Sequence, residues 1–252
     1  MRTTAVPVAK KQTAKMRGEE AFERLRMAIL DGTLPPGAPL SRRRLAEEMA
    51  MSAVPVADAI SRLEGEGLVE SRARAGTRVK IATAAEIQGN YVLREALETH
   101  SARLFAELAD DRQRLRLLAA AERLDRAYNA LGRQQQYTQA LHAKVERIHI
   151  AFHMQIARAT KVALFADAVE RSRVLLFNWI FTVSPDFEKL PERWHRDLAA
   201  TLAHGSPEEA AEAMRAHVRY RQGEVLERFE RLARQQAQDS RMVRGPRRRP
   251  LK

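Results

Sequence analysis

From residue 83 to about residue 235 the chain contains no strand-like stretch. Apolar residues recur there at three- and four-residue spacing, the period of a helix with one buried face. Breaks in that pattern fall near 109–111, 131–137, 182–191 and 204–207. A region of this length without strands can bury its apolar faces only helix against helix, which predicts a bundle of roughly six or seven helices. Composition points the same way: Ala, Leu, Arg and Glu dominate, and Gly and Pro are only 11 and 10 of 252 residues. Thr83-Ala84-Ala85-Glu86 reads as a capping box that opens the region, because the threonine hydroxyl and the glutamate each answer a free N–H of the first turn.

The first eighty residues read differently. Ala21, Phe22, Leu25, Ile29 and Leu30 form a helical stripe that ends in the turn-rich Asp31-Gly32-Thr33-Leu34-Pro35-Pro36-Gly37. Ser41 is an expected N-cap for a short second helix through Ala50, and Ser52 for a third, with Pro55 tolerated in its first turn. Val56, Ile60 and Leu63 make the buried stripe of that third helix, and Gly65 and Gly67 stop it. Two strand-like stretches, 68–71 and 77–81, follow around Arg72-Ala73-Arg74-Ala75-Gly76. Three small helices and a basic hairpin predict a winged helix-turn-helix, in which the third helix enters the major groove of DNA. The fold class expected is therefore mainly α: an N-terminal winged helix-turn-helix at 19–82, then an all-helical effector bundle at 83–235.

Charge sharpens this. The net charge is +12, yet 19–80 holds ten basic and ten acidic residues. The excess lies in 1–18, with five basic residues and no acid, and in 241–252, with six more. Residues 1–18 read as a basic disordered arm and 236–252 as a basic tail, suited to phosphate contact or to solubility. The absence of cysteine excludes disulfides, thiolate metal sites and a cysteine nucleophile, and suits a reducing cytoplasm. The longest apolar run, 174–183, contains Asn178 and is too short to span a bilayer, so no membrane partner is expected.

The stretch AFERLRMAILDGTLPPGAPLSRRRLAEEMAMSAVPVADAISRLEGEGLVESRARAGTRV resembles the DNA-binding domain of the GntR family of bacterial transcription regulators. The resemblance implies a double-stranded DNA operator, a homodimer reading a palindrome, and contacts from Arg43, from the start of the third helix at Ser52, Ala53 and Val54, and from the wing tip at Gly76 and Thr77; Arg42, Arg44, Arg62, Arg72 and Arg74 are expected to add phosphate contacts. The chain departs from the family in one respect. Ala53 and Ala57 stand where arginines are common, and arginine is the side chain that grips guanine bidentately.

Within the bundle, His149-Ile-Ala-Phe-His153 places two imidazoles on one helical face. A second pair follows. Ser206-Pro207-Glu208-Glu209 is another capping box, and the short turn at His204-Gly205 forces an antiparallel helix pair. At about 1.5 Å per residue, His195 and His217 both lie about 14–15 Å from that turn, so they share a level on adjacent helices. Four imidazoles from three helices suit a divalent transition metal, zinc or nickel above all. The pattern HIAFHMQIARAT…WHRDLAATLAHGSPEEAAEAMRAHV resembles the FCD-type effector domain of the FadR branch of the same family. There the metal is held by D-x-x-x-H and two later histidines, which carries over to His153, His195 and His217. His149 occupies the place of the aspartate, and Lys161-Val162 stands where Gly-Asn is customary. Arg94 in LREALE resembles an effector-binding arginine. Four neutral imidazoles cancel none of the metal's charge, which favours a small organic-acid or sugar-acid effector.

Two other readings compete with a ligand-responsive transcription repressor. A metal-dependent hydrolase of the H-E-x-x-H type needs a glutamate beside its first histidine, and Ile150 stands there. A nucleoid-type protein coating DNA through its arms has no use for a four-histidine cluster.

Overall fold

The computed structural model describes residues 8–132, 139–180 and 190–243. The apolar stripe from Ala21 to Leu30 lies on α1 (Val8–Leu30), whose core residues are buried. This helix begins well inside the segment read from sequence as an arm. After a turn with Gly32 and Gly37 at positive φ come α2 (Arg42–Met49) and α3 (Ala53–Gly65), joined through Ala50 at φ +52°. Ser41 caps α2 as expected, its hydroxyl accepting from Arg44 N at 3.4 Å. Ser52 holds the N-cap position of α3 but makes no capping hydrogen bond, which leaves its hydroxyl free at the surface.

The wing is the antiparallel pair β1 (Val69–Arg72) and β2 (Gly76–Val79), in register Val69↔Val79 through Arg72↔Gly76. The chain before α2 lies along β2, with Leu40 N donating to Thr77 O at 2.8 Å and Val79 N to Ala38 O at 2.9 Å. Leu25, Ile29, Val56, Ile60, Leu63 and Leu68 make the core beneath.

Six helices follow among the described residues: α4 (Ala84–Leu108), α5 (Asp111–Leu131), α6 (Gln139–Ala159), α7 (Ala163–Ile180), α8 (Trp194–His204) and α9 (Pro207–Val243). Both expected capping boxes form, Thr83 with Glu86 and Ser206 with Glu209. Asp110 with Gln113 makes a third at the start of α5. Each cap is worth about 1 kcal/mol. Burying a residue such as Phe105, Leu117, Leu124, Phe152 or Ile156 contributes about 1.5–3 kcal/mol each, so packing outweighs capping in holding the bundle.

α4 packs chiefly along α9 and also touches α6, α7 and α8, while α5 lies against α6 and α8. Arg114 ties the helix ends together, donating to Ala109 O at 3.1 Å, Ala106 O at 2.6 Å and Ala203 O. At the α8–α9 turn a Cβ on Gly205 would meet Thr201 O at 2.7 Å, so only glycine fits this close approach.

The expected breaks at 109–111 and 204–207 appear; those at 133–138 and 181–189 lie outside the described residues. One break was not legible in the apolar pattern: α6 ends at Ala159, where Lys161 turns the chain at φ +60° and the Thr160 hydroxyl donates to Ala157 O at 2.7 Å. α9 runs eight residues past the expected end of the bundle, into the basic tail; residues 1–7 and 244–252 are not described.

Candidate metal centre and DNA-contacting surface

α6 brings His149 and His153 to the middle of the bundle, α8 brings His195 in its first turn, and α9 brings His217. All four are buried, between 0 and 6% exposed. Ring centroids lie 4.8 Å apart for His149–His153, 5.0 Å for His149–His195, 5.2 Å for His153–His217 and 5.3 Å for His195–His217. The level-matching of His195 with His217 across the α8–α9 turn therefore holds.

Buried carboxylates hydrogen-bond two of the rings and flank a third. His195 Nδ1 lies 2.8 Å from Asp125 Oδ1 on α5, and the same carboxylate accepts the backbone N–H groups of His195 and Arg196, each at 3.0 Å. His153 Nδ1 is 2.7 Å from Glu98 Oε2 on α4, an ion-pair contact without hydrogen-bond geometry. His149 Nδ1 is 3.3 Å from Glu146 Oε2 and 3.0 Å from the Tyr128 hydroxyl, which itself donates to Glu146 Oε1 at 2.7 Å. A carboxylate at Nδ1 fixes the proton there and leaves the Nε2 lone pair free for a ligand.

The inward nitrogens then have too few partners. His149 Nε2 and His153 Nε2 face each other at 3.0 Å. The His149 proton is held at Nδ1, so that contact needs either a proton on His153 Nε2 or a cation between the two nitrogens. Among the described residues, His153 Nδ1, His195 Nε2 and both nitrogens of His217 are buried without a hydrogen-bond partner. Leaving such groups unsatisfied costs about 1–3 kcal/mol each, so the cluster calls for a ligand. Nitrogens of His149, His153 and His217 all lie within 4.8 Å of one another. Two imidazoles on one zinc sit about 3.3 Å apart, from bonds of about 2.0–2.1 Å, so these donors are close to the spacing a shared ion demands. His195 adjoins this trio through its ring and is set by Asp125.

Protonation states suit a metal as well. Burial pushes the His149 imidazole down to about 3, and it lowers His153, His195 and His217 in the same sense. All four are neutral near pH 7, with lone pairs available.

Around the histidines runs a shell of buried charge. Glu98 accepts from Arg94 Nε at 2.7 Å and from Arg173 Nε at 3.0 Å. Burial alone would raise its carboxyl; Arg173, Arg94 and His153 hold it well below the usual range. Burial likewise pushes the Arg173 guanidinium down to about 10 against the pull of Glu98. Arg196 reaches Asp125 at 3.3 Å, and Arg221 pairs with Glu224 at 2.7 Å. Among the described residues, four acids, Glu98, Asp125, Glu146 and Glu224, thus stand with four arginines, Arg94, Arg173, Arg196 and Arg221.

Arg94 is 3% exposed and stands one carboxylate away from His153. Glu146 lies one turn before His149 on α6, and the sequence reading pointed to none of Asp125, Glu98, Arg173 or Tyr128. A groove of about 650 Å³ lies elsewhere, between α4 and α9, lined by Glu95, Thr99, Arg103, Arg215 and Arg219 among others and by none of the four histidines.

On the other domain, Arg42, Arg43 and Arg44 are exposed at the start of α2, as are Ser52, Ala53 and Val54 at the start of α3. Arg72, Arg74 and Gly76 are exposed at the wing, with Arg74 and Gly76 at positive φ; Thr77 is half-buried, its hydroxyl 3.1 Å from that of Ser71. Arg44 pairs with Glu48 and Arg72 with Glu70, whereas Arg62 is committed to Glu19 and lies 3.9 Å over the Phe22 ring.

A winged helix-turn-helix joined to a helical bundle with a buried polar centre defines a DNA-binding regulator with an effector domain. Residues 17–79 match the family profile of the bacterial regulatory proteins of the gntR family, and residues 90–220 match that of the FCD domain. The chain belongs to the GntR family of transcription regulators, in its FCD-containing, FadR-like branch. It is 27% identical over 198 residues to the probable D-xylose utilization operon transcriptional repressor of Paenarthrobacter nicotinovorans, covering 76% of this chain and 81% of that protein. It is 26% identical over 224 residues to the Glc operon transcriptional activator of Escherichia coli K12, covering 79% and 84%. A solved GntR regulator from Rhodococcus sp. RHA1 shares the fold, with a TM-score of 0.69 at 24% identity over 84% of this chain and 98% of that one. Family and relatives indicate a transcription regulator, not an enzyme, and no described helix is long and apolar enough to cross a membrane.

Proposed function

We propose that this regulator is a ligand-responsive repressor whose helical domain holds one divalent transition metal, zinc or nickel, through His149, His153, His195 and His217, and with it a small organic-acid or sugar-acid effector. The observation that carries the reading is the convergence of buried imidazole nitrogens that lack partners, two of the four rings being aimed by carboxylates. A bound dication supplies positive charge and a coordination position for an anionic oxygen donor. The carboxylates of Asp125 and Glu146 keep the Nδ1 protons of His195 and His149 in place, and four neutral imidazoles leave the metal's charge to attract an anion. Arg94, paired to Glu98 beside His153, is the side chain placed to share that anion.

Responsiveness needs a route to the DNA-binding domain, and α6 supports one. Next to His149 on that helix, Ile150 packs against the winged-helix core, where Ala143 is fully buried. Arg26 of α1 lies 3.6 Å from Glu170 of α7. A shift of α6 on ligand binding therefore presses directly on the DNA-binding core. Operator contact is assigned to Arg42, Arg43 and Arg44, the start of α3 and the wing, with a homodimer spanning two half-sites. One curated relative is named a repressor and the other an activator. Repression is the simpler assignment, because occluding a promoter needs only DNA binding.

Elemental analysis of protein purified without chelator tests the centre. About one metal ion per chain is expected, with loss of metal in His153→Ala together with loss of the thermal stabilisation given by a carboxylate effector. Equal metal in both proteins would make these histidines core residues and nothing more.

A further inference from the structure

The recognition helix lacks the side chains that usually read guanine and adenine. Its buried face is Pro55, Val56, Ala59, Ile60 and Leu63. What it turns outward in its first turns is Ser52, Ala53, Val54 and Asp58, with Ala57 half-buried. Val54 is 75% exposed, an apolar side chain at the tip of a helix built to enter a groove. The one basic residue of α3, Arg62, is held by Glu19 through two hydrogen bonds of 2.9 and 3.3 Å and stacked on Phe22. It is not free to fork onto a base.

The surroundings fit an anionic duplex all the same. Arg42 and Arg43 on α2 and Arg74 on the wing are exposed, and no ion-pair partner faces them among the described residues. Those cations supply phosphate contacts, which set register and affinity but not sequence. Base-edge readout is left to the small apolar groups of Ala53 and Val54, with the Ser52 hydroxyl and the Asp58 carboxylate as the polar groups beside them. In the major groove, guanine offers acceptors that want a donor fork, and adenine an acceptor–donor pair that wants an amide. Thymine alone offers an apolar feature, its C5-methyl.

We propose that this chain reads its operator by apolar contact of Ala53 and Val54 with thymine methyl groups, so that thymines and not guanines are the decisive bases under α3. Phosphate contacts by the surrounding arginines supply most of the affinity, and the methyl contacts supply the discrimination.

The test removes the methyl and nothing else. Duplexes are selected from a random library with the full chain, and each thymine of the selected site is replaced in turn by deoxyuridine. Binding is measured by fluorescence anisotropy at fixed salt. One or two positions per half-site are expected to lose roughly fourfold in affinity, the value of one buried methyl-sized group. Val54→Ala should shrink the deoxyuridine effect at one of those positions while leaving the salt dependence unchanged. Because Val54 is exposed, the variant should melt with the wild type. Tolerance of deoxyuridine at every position within twofold overturns the proposal. So does a selection that returns no preferred sequence, or one whose decisive bases are guanines sensitive to 7-deaza substitution.

Discussion

Asp125→Asn separates the architecture of the centre from its contents. The Asp125 carboxylate, 3% exposed, accepts four N–H groups: His195 N and Nδ1 on one oxygen, Arg196 N and Nε on the other. An asparagine amide presents one oxygen and one NH2 group. Whichever way it is turned, two of the four donors face another donor. Losing two hydrogen bonds to a charged acceptor costs about 3–6 kcal/mol, or a melting point about 9–18 °C lower in a domain of this size. If the NH2 group faces His195, the imidazole must move its proton to Nε2 and loses the lone pair directed at the cluster. The expected result is a metal affinity weaker by about 10- to 100-fold. Stability is read by thermal melts of chelated protein, and metal affinity by competition with a chromophoric chelator. A folded variant whose metal affinity stays within twofold of wild type would refute the role of Asp125 in aiming His195. An unchanged melting point in chelator would refute the hydrogen-bond argument itself.

His149→Asp should retain metal, yet its melting shift with an organic acid should be smaller because one positive charge is cancelled; a larger shift would contradict the charge argument. Metal-free protein should lose stability as pH falls below about 6.5. There the unfolded chain takes up protons that the folded His149, at about 3, refuses, which costs about 2 kcal/mol at pH 5 for this residue, with His153, His195 and His217 adding in the same direction. Unfolding curves of chelated protein between pH 5 and 8 measure this, and a flat profile would mean that the imidazoles are solvated. As a phosphate contact, Arg43→Ala should weaken DNA binding about equally across sequences and lower the salt slope by about 1; an unchanged titration would remove it from the interface.

Helix content, the winged helix-turn-helix and the four histidines were legible because their signals are local. The apolar period marks a buried face, the boxes at Thr83–Glu86 and Ser206–Glu209 mark starts, and a two-helix turn fixes the level of His195 against His217. Lys161, in the left-handed region where glycine is easiest, hid the α6–α7 turn, since neither a glycine nor a proline announces it. The carboxylates were hidden for a deeper reason. Asp125 meets His195 across 70 residues of sequence and Glu98 meets Arg173 across 75. Each reads locally as one more charge on a helix. Whether such a charge faces solvent or the bundle interior depends on how α4 and α5 are rotated about their axes when they pack. That rotation comes from the fit of whole apolar faces, and no short stretch of sequence contains it.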